Sequence, residues 1–167
     1  MRTVALDPAI HDRRTFDCGR EVLNNYLRHI ANQQGKKDLS RTYVLPAKEN
    51  VSEILGFYTL SMVSLRLEDL PPKWRKKYAT AQSAGLIARL AVAKRAQGQG
   101  IGSILLVDGL LRLLNASDEV GFPMVFVDAK EGLDDFYRRF GFSSLPGHPE
   151  RLFMTVKDIR ASFSEGV

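Results

Sequence analysis

Three glycines at alternate positions, Gly98, Gly100 and Gly102, join an apolar run to a long apolar helix pattern, and this junction restricts what the chain can become. Leu86, Ile87, Leu90, Ala91 and Val92 make the run, of the length expected for a strand covered on both faces, with Arg89 its only charge. From Ile101 to Leu114 the residues Ile104, Leu105, Leu106, Val107, Leu110, Leu111, Leu113 and Leu114 leave Ser103, Asp108 and Arg112 as a narrow polar edge, the pattern of a buried helix. Strand, glycine loop and helix in that order bring unpaired N–H groups and the positive end of a helix dipole to one spot beside a sheet. Without a Cβ in the way the loop amides can approach an anion, so the junction reads as a cradle for a pyrophosphate.

Two of three phosphate loops fail here. A P-loop requires Gly-Lys-Ser/Thr, and no lysine follows these glycines. A dinucleotide fingerprint requires G-x-G-x-x-G, and Ser103 stands where its third glycine belongs. What remains, Arg95-Ala96-Gln97-Gly98-Gln99-Gly100, resembles the Q/R-x-x-G-x-G/A signature that binds coenzyme A in the GNAT N-acetyltransferase family. A glycine-rich turn capping an ordinary core helix is the alternative, and the strand before and helix after weigh against it. The resemblance implies an acetyl-CoA-dependent acetyltransferase of α/β class: a GNAT fold with a mixed central sheet, splayed parallel strands holding the pantetheine arm, and flanking helices. It implies coenzyme contacts at Arg95, Gln97, Gly98, Gln99, Gly100, Ile101, Gly102 and Ser103, with backbone groups of Leu90 and Val92 facing the pantetheine amides.

Residues 2 to 6 read as an edge strand ended by Asp7-Pro8. Asp17 then offers an N-cap to a helix over about 19 to 34, with a Val22, Leu23, Tyr26, Leu27, Ile30, Ala31 stripe and Gly35 as its stop. The string D-C-G-R-E-V-L-N-N-Y-L at its start resembles the opening of the GNAT toxins of bacterial toxin–antitoxin pairs. A hairpin follows, strands 42 to 46 and Ile54 to Ser61, with Gly56 as a bulge. Leu70-Pro71-Pro72 opens a segment whose Lys73, Arg75, Lys76 and Lys77 form the densest positive cluster, with Trp74 and Tyr78 interleaved. That composition suits a solvated face, and equally an RNA backbone with exposed bases. Met124 to Val127 reads as a buried strand parallel to 86 to 92, followed by the helix D-D-F-Y-R-R-F-G-F closed by Gly141, and a last strand near 151 to 156. Tyr137, Gly141 and Phe142 resemble the Tyr-x-x-x-Gly-Phe pattern of the family's second segment. No motif is visible from Arg160 onward.

At 167 residues, 44% of them hydrophobic, the chain suits one domain over 1–167. Asp7 and Pro8 interrupt any leader-like apolar region, and no run is long enough to span a membrane, so a cytoplasmic protein without a membrane partner is expected. A single Cys18 and scattered His11, His29 and His148 imply no disulfide and no metal. Cys18 as a nucleophile is disfavoured because Asp17 opposes the thiolate. The net charge of +5 favours a polyanionic partner, although the phosphates of coenzyme A account for part of that bias.

By the same resemblance Tyr137 lies near the coenzyme sulfur. A phenol of pKa ~10 is a weaker acid than a thiol of ~8.5, so hydrogen bonding to the departing thiolate fits it better than full proton transfer. A core aromatic between Phe136 and Phe140 is the plainer role for this residue. No His or Glu stands in a segment that obviously faces the gap between the strands. A lysine ε-amine of pKa ~10.4 needs a base, whereas an α-amine of ~7.7 is already partly free at neutral pH. The missing base therefore leans toward an α-amine, such as that of aminoacyl-tRNA, on which the resembled toxins act to block translation. Lys36, Lys37, Lys73, Arg75, Lys76, Lys77 and Arg89 are the tRNA-binding candidates. The toxin resemblance further implies a small ribbon-helix-helix antitoxin and a homodimer. An acetyltransferase for a small amine or protein N-terminus, and a non-catalytic module that binds coenzyme A, are the alternatives.

Overall fold

The computed structural model describes residues 2–129 and 132–165. Seven strands form one mixed sheet: β1 (Val4–Ala5), β2 (Arg41–Pro46), β3 (Ile54–Ser64), β4 (Ser83–Val92), β5 (Met124–Asp128), β6 (Ser143–Ser144) and β7 (Arg151–Thr155), in the order β1-β2-β3-β4-β5-β7-β6. β4 and β5 run parallel, with Gly85 opposite Val125 and Ile87 opposite Val127, as the two apolar runs led one to expect. β1 on β2, β2 on β3, and β7 on both β5 and β6 are antiparallel. The mixed α/β class matches the expectation. Compactness divides the chain into two units, Met1–Ser61 with Ala88–Gly109, and Met62–Ile87 with Leu110–Val167.

The first unit is built on Phe57 of β3. Phe16 meets its ring edge-on at 5.5 Å, and Tyr26 stacks on it at 6.4 Å. Leu27, Ala31, Val44, Ile54 and Ala91 close this core. The expected single helix over 19 to 34 is in fact three pieces: α1 (Glu21–Asn25), a π-helical turn (Tyr26–Ile30) and α2 (Ala31–Lys36). The wide turn sets Tyr26, Leu27 and Ala31 on the core, with the Ala31 N–H donating to the Tyr26 carbonyl five residues back. It also breaks the anticipated stripe, since Val22 and Ile30 are exposed. Asp17 does not cap this helix: its Oδ1 accepts from the Gly19 N–H and the Asn24 amide, and Arg20 holds the cap position. Gly35 lies inside α2, and the left-handed residue after it is Asp38 at φ 60°.

The hairpin is as expected, with a register shift where Leu45 faces Gly56 and Pro46 faces Ile54. Gly56 is required by contact as well as by the bulge: a Cβ there would sit 2.8 Å from Leu105 and 2.9 Å from the Ala91 carbonyl. β1 is shorter than the expected strand over 2 to 6. It is anchored through Thr3, whose hydroxyl donates to the Asp108 carboxylate, which also accepts from the Tyr58 hydroxyl.

In the second unit, β5 is buried from Met124 through Val127, and Gly85 keeps β4 clear of Leu113 and Phe122, each 3.1 Å from where its Cβ would be. The helix expected over 101 to 114 continues as α4 (Ile101–Val120) to Gly121, whose N–H donates to Ser117 and whose φ is 72°. It is not buried all round, because Ile104 and Leu111 are exposed. α3 (Pro72–Lys77) places Pro72 at its first turn, and α5 (Asp134–Arg139) ends before Gly141 at φ 106°. A further helix, α6 (Val156–Glu165), occupies the segment in which no motif was visible. Among the described residues no helix is long and apolar enough to cross a membrane, and no group of His, Cys, Asp or Glu could hold a metal.

Candidate functional site

The loop after β4 is held from below. The Ala93 N–H donates to Leu55, the Lys94 N–H to Asp17, and a single 3-10 turn covers Lys94–Ala96. Gln97 donates its amide to the carbonyls of both Cys18 and Val92 at 3.0 Å, and Gln99 reaches the Arg95 carbonyl at 3.3 Å. Both glutamine side chains therefore fold the loop. Gly98 and Gly100 adopt φ of 78° and 80°, and a Cβ at either would meet nothing within 4 Å. Gly102 has no such conformation and sits in the first turn of α4.

An open concave turn whose glycines require left-handed backbone, running into a 20-residue helix, is a sound cradle for a pyrophosphate. The first N–H groups of α4, at Ile101, Gly102 and Ser103, have no partner within the helix. Ile101 is 3% exposed, so it offers its backbone alone. Lys94 pairs with Asp17 at 3.3 Å, and Arg95 with Glu53. These exposed pairs are weak, and a phosphate can compete with them. Upstream, β4 is buried from Ala84 to Ile87 and then partly opens at Ala88, Arg89 and Leu90, so it is not covered on both faces along its whole length. Arg89 lies 4.8 Å over the Tyr26 ring and donates to the Ala88 carbonyl.

Tyr137 is the buried residue of α5, 2% exposed, with ring contacts to Phe136 at 5.2 Å and Phe142 at 5.8 Å. Phe140 packs on Phe136, so the expected neighbour Phe140 is replaced by Phe142.

Two further reactive side chains, Cys18 and His11, have structural roles. Cys18 is buried, and burial pushes its thiol upward, which disfavours the thiolate. His11 is 6% exposed, and burial lowers its pKa while its Nδ1 accepts from the Asp7 N–H at 3.0 Å. Neither serves as a base.

Of the basic candidates, Lys36 and Lys37 lie exposed at the end of α2. On α3, Lys73, Lys76 and Lys77 are exposed, and Arg75 is committed in part, donating to the Leu70 and Glu68 carbonyls at 3.0 and 3.3 Å. Trp74 stacks on Tyr78 at 5.9 Å, with Lys73 4.7 Å over the indole. Composition signalled interleaved aromatics, but only helical spacing shows that residues 74 and 78 must stack.

A family model described as an acetyltransferase (GNAT) domain matches residues 38–144. A probable toxin TacT of Sinorhizobium fredii is 31% identical over 93% of this chain and 91% of its own length. A tRNA-acetylating toxin of Mycobacterium tuberculosis is 32% identical over 90% of this chain and 89% of its own. Among solved structures, a tyrosine-to-phenylalanine mutant of KacT superposes with a TM-score of 0.88 at 32% identity, covering 97% of this chain and 98% of that one. AtaT complexed with acetyl-methionyl-tRNAfMet superposes at 0.86 with 29% identity over 97% and 98% of the two chains. A tyrosine-to-phenylalanine mutant of AtaT, bound to the C-terminus of the antitoxin AtaR and acetyl-CoA, gives 0.82 at 29% identity over 98% of each.

Proposed function

Because the chain belongs to the GNAT acetyltransferase family, we propose that it transfers the acetyl group of acetyl-CoA to the α-amine of aminoacyl-tRNA and thereby blocks translation. The observation that carries the tRNA assignment is the likeness, over nearly the whole chain, to a tRNA-acetylating toxin and to a toxin solved with its acetylated tRNA. The loop from Gln97 to Ser103 binds the coenzyme pyrophosphate, Gly98 and Gly100 by their open backbone and Ile101, Gly102 and Ser103 by helix N–H groups. Arg95 leaves Glu53 to join them. Leu90 and Val92 supply strand N–H and carbonyl groups to the pantetheine amides, and such strand donors also stabilise the oxyanion.

The amine nitrogen attacks the thioester carbonyl, the C–S bond breaks, and the sulfur leaves with its electron pair while the nitrogen gives its proton to solvent water, from which the coenzyme thiolate is reprotonated. Tyr137 donates a hydrogen bond to that departing sulfur. With His11 and Cys18 committed to structure, the chemistry relies on an amine that is already deprotonated, which an α-amine of pKa ~7.7 supplies. Lys36, Lys37, Lys73, Arg75, Lys76, Lys77 and Arg89 take the RNA phosphates. The proposal includes a homodimer, a cytoplasmic setting and neutralisation by a small ribbon-helix-helix antitoxin, in keeping with a neighbour solved on its antitoxin's C-terminus.

The test is mass analysis of the aminoacyl end of charged tRNA after incubation with acetyl-CoA, for wild type and Tyr137→Phe. An added acetyl group on the α-amine is expected, with turnover about 10²-fold lower or worse in the variant and coenzyme affinity retained. Acetylation of small amines with untouched tRNA would replace the substrate assignment, and wild-type turnover in the variant would remove Tyr137 from the chemistry.

A further inference from the structure

Beside α3 lies a hollow of about 270 Å³. Pockets for whole small ligands run to ~300–1,000 Å³, so this one suits a single ring system. Phe153 and Met154 of β7 are buried beneath it, and Lys73, Trp74, Ser143 and Asp158 stand around it. We propose that this hollow binds one unstacked amine-bearing base of the acceptor RNA, such as adenine or cytosine, with Trp74 as its stacking wall. The proposal rests on the tRNA reading and adds a base-specific contact to the phosphate contacts of the basic helix.

The polar groups select the base. Thr155 is buried at the pocket wall and accepts from the Asp158 N–H at 3.1 Å, so its own hydroxyl hydrogen is left to donate. Ser143 can donate or accept. The Asp158 carboxylate, outside every ion pair among the described residues, only accepts. A carboxylate acceptor next to hydroxyl donors complements an edge that places an exocyclic amine beside an acceptor, as in adenine, cytosine and guanine. Uracil has no amine to offer. Asp158 also disfavours an acidic peptide, the other polyanion that a lysine-rich helix attracts.

Lys73 covers the indole at 4.7 Å, and Tyr78 stacked on it holds it in place. Lys77 also lies 5.5 Å over the indole, and because a surface cation–π contact is weaker than base–aromatic stacking, a base displaces Lys73, the nearer ammonium. Lys73 is then free for the phosphate attached to that base.

Trp74 is the only tryptophan in the chain, so fluorescence excited at the red edge, where the tyrosines do not absorb, reports on this hollow. The experiment titrates adenosine, cytidine and uridine 5′-monophosphates and ribose 5-phosphate into wild type, Asp158→Asn and Ser143→Leu. Saturating coenzyme A is present throughout to block the coenzyme loop. Saturable quenching by the adenine and cytosine nucleotides is expected, weaker with uridine and absent with ribose 5-phosphate. Asp158→Asn should weaken it roughly ten-fold or more, as loss of a charged hydrogen-bond acceptor does. Ser143→Leu fills the hollow from an exposed position and should abolish quenching. Acetylation of charged tRNA is assayed in parallel. Normal acetylation with no nucleotide quenching overturns the hollow and leaves the tRNA reading standing. Quenching without acetylation overturns the tRNA reading and upholds the nucleotide site. Quenching by an acidic peptide and by no nucleotide overturns the proposal in favour of a protein partner.

Discussion

The proposed coenzyme cradle rests on Gly98 and Gly100, because each has a left-handed backbone and each faces open space. Gly100→Val places a branched side chain in that space and forces it into a conformation costing about 1–2 kcal/mol. Loss of acetyl-CoA binding by calorimetry with a modest fall in melting temperature is the expected result; unchanged affinity would exclude the loop as the cradle. These glycines were legible in the sequence because glycine adopts left-handed backbone without the Cβ penalty that other residue types meet. Asp17 was not, since a carboxylate before a helix pattern reads as a cap, and only the fold reveals that it accepts from Gly19 and Asn24 while Arg20 holds the cap position. His11 carries a second prediction at this scale. Its folded pKa is depressed below the ordinary 6.5 by burial, so the unfolded chain binds the extra proton first. Stability is then full above 6.5 and falls as the pH drops from there toward the folded value. The melting temperature should decline over that window in wild type and decline less in His11→Asn.

At the level of elements, strongly periodic segments were readable and weakly periodic ones were not. β4, β5 and the start of α4 each bury a continuous or regular apolar set, so their patterns match the expectation, whereas α5 buries Tyr137 alone and was readable from its Tyr-x-x-x-Gly-Phe pattern rather than from periodicity. The π turn was invisible because its apolar residues also fit an ordinary stripe, and only the exposed Val22 and Ile30 show the difference. α6 was missed because it buries little beyond Val156 and Ile159. Its signal was Thr155-x-x-Asp158, a capping-box pattern, and the Thr155 hydroxyl does accept from the Asp158 N–H at 3.1 Å. Thr155→Ala removes that cap and should lower unfolding free energy by about 1 kcal/mol. Denaturant melts should show a lower midpoint with an unchanged slope. An unaltered midpoint would mean that α6 is held by Ile159 and its neighbours alone.

For the whole molecule, the net charge of +5 pointed to a polyanion without saying which groups face it. The structure distinguishes them: Arg75 is partly tied to the Leu70 and Glu68 carbonyls, whereas Lys76 and Lys77 are exposed on α3, with the Lys77 ammonium 5.5 Å over both the Trp74 and Tyr78 rings. If these lysines neutralise phosphates, each contact releases counterions, and the log–log slope of RNA binding against salt is about −0.7 to −0.9 per contact. Exposed lysines contribute little to folding, so changing both to Ala should alter stability by no more than about 0.5 kcal/mol each. The double variant should flatten the slope by up to about two contacts and leave acetyl-CoA affinity unaltered, because the glycine loop is built from other residues. Lys36 and Lys37 at the end of α2 provide the comparison, since their replacement should flatten the slope independently if they too meet the RNA. The measurement is acetylation of charged tRNA across a salt series. Equal slopes in wild type and the Lys76/Lys77 variant would remove α3 from the RNA surface, and a flat response in every protein would match a small uncharged acceptor in place of tRNA.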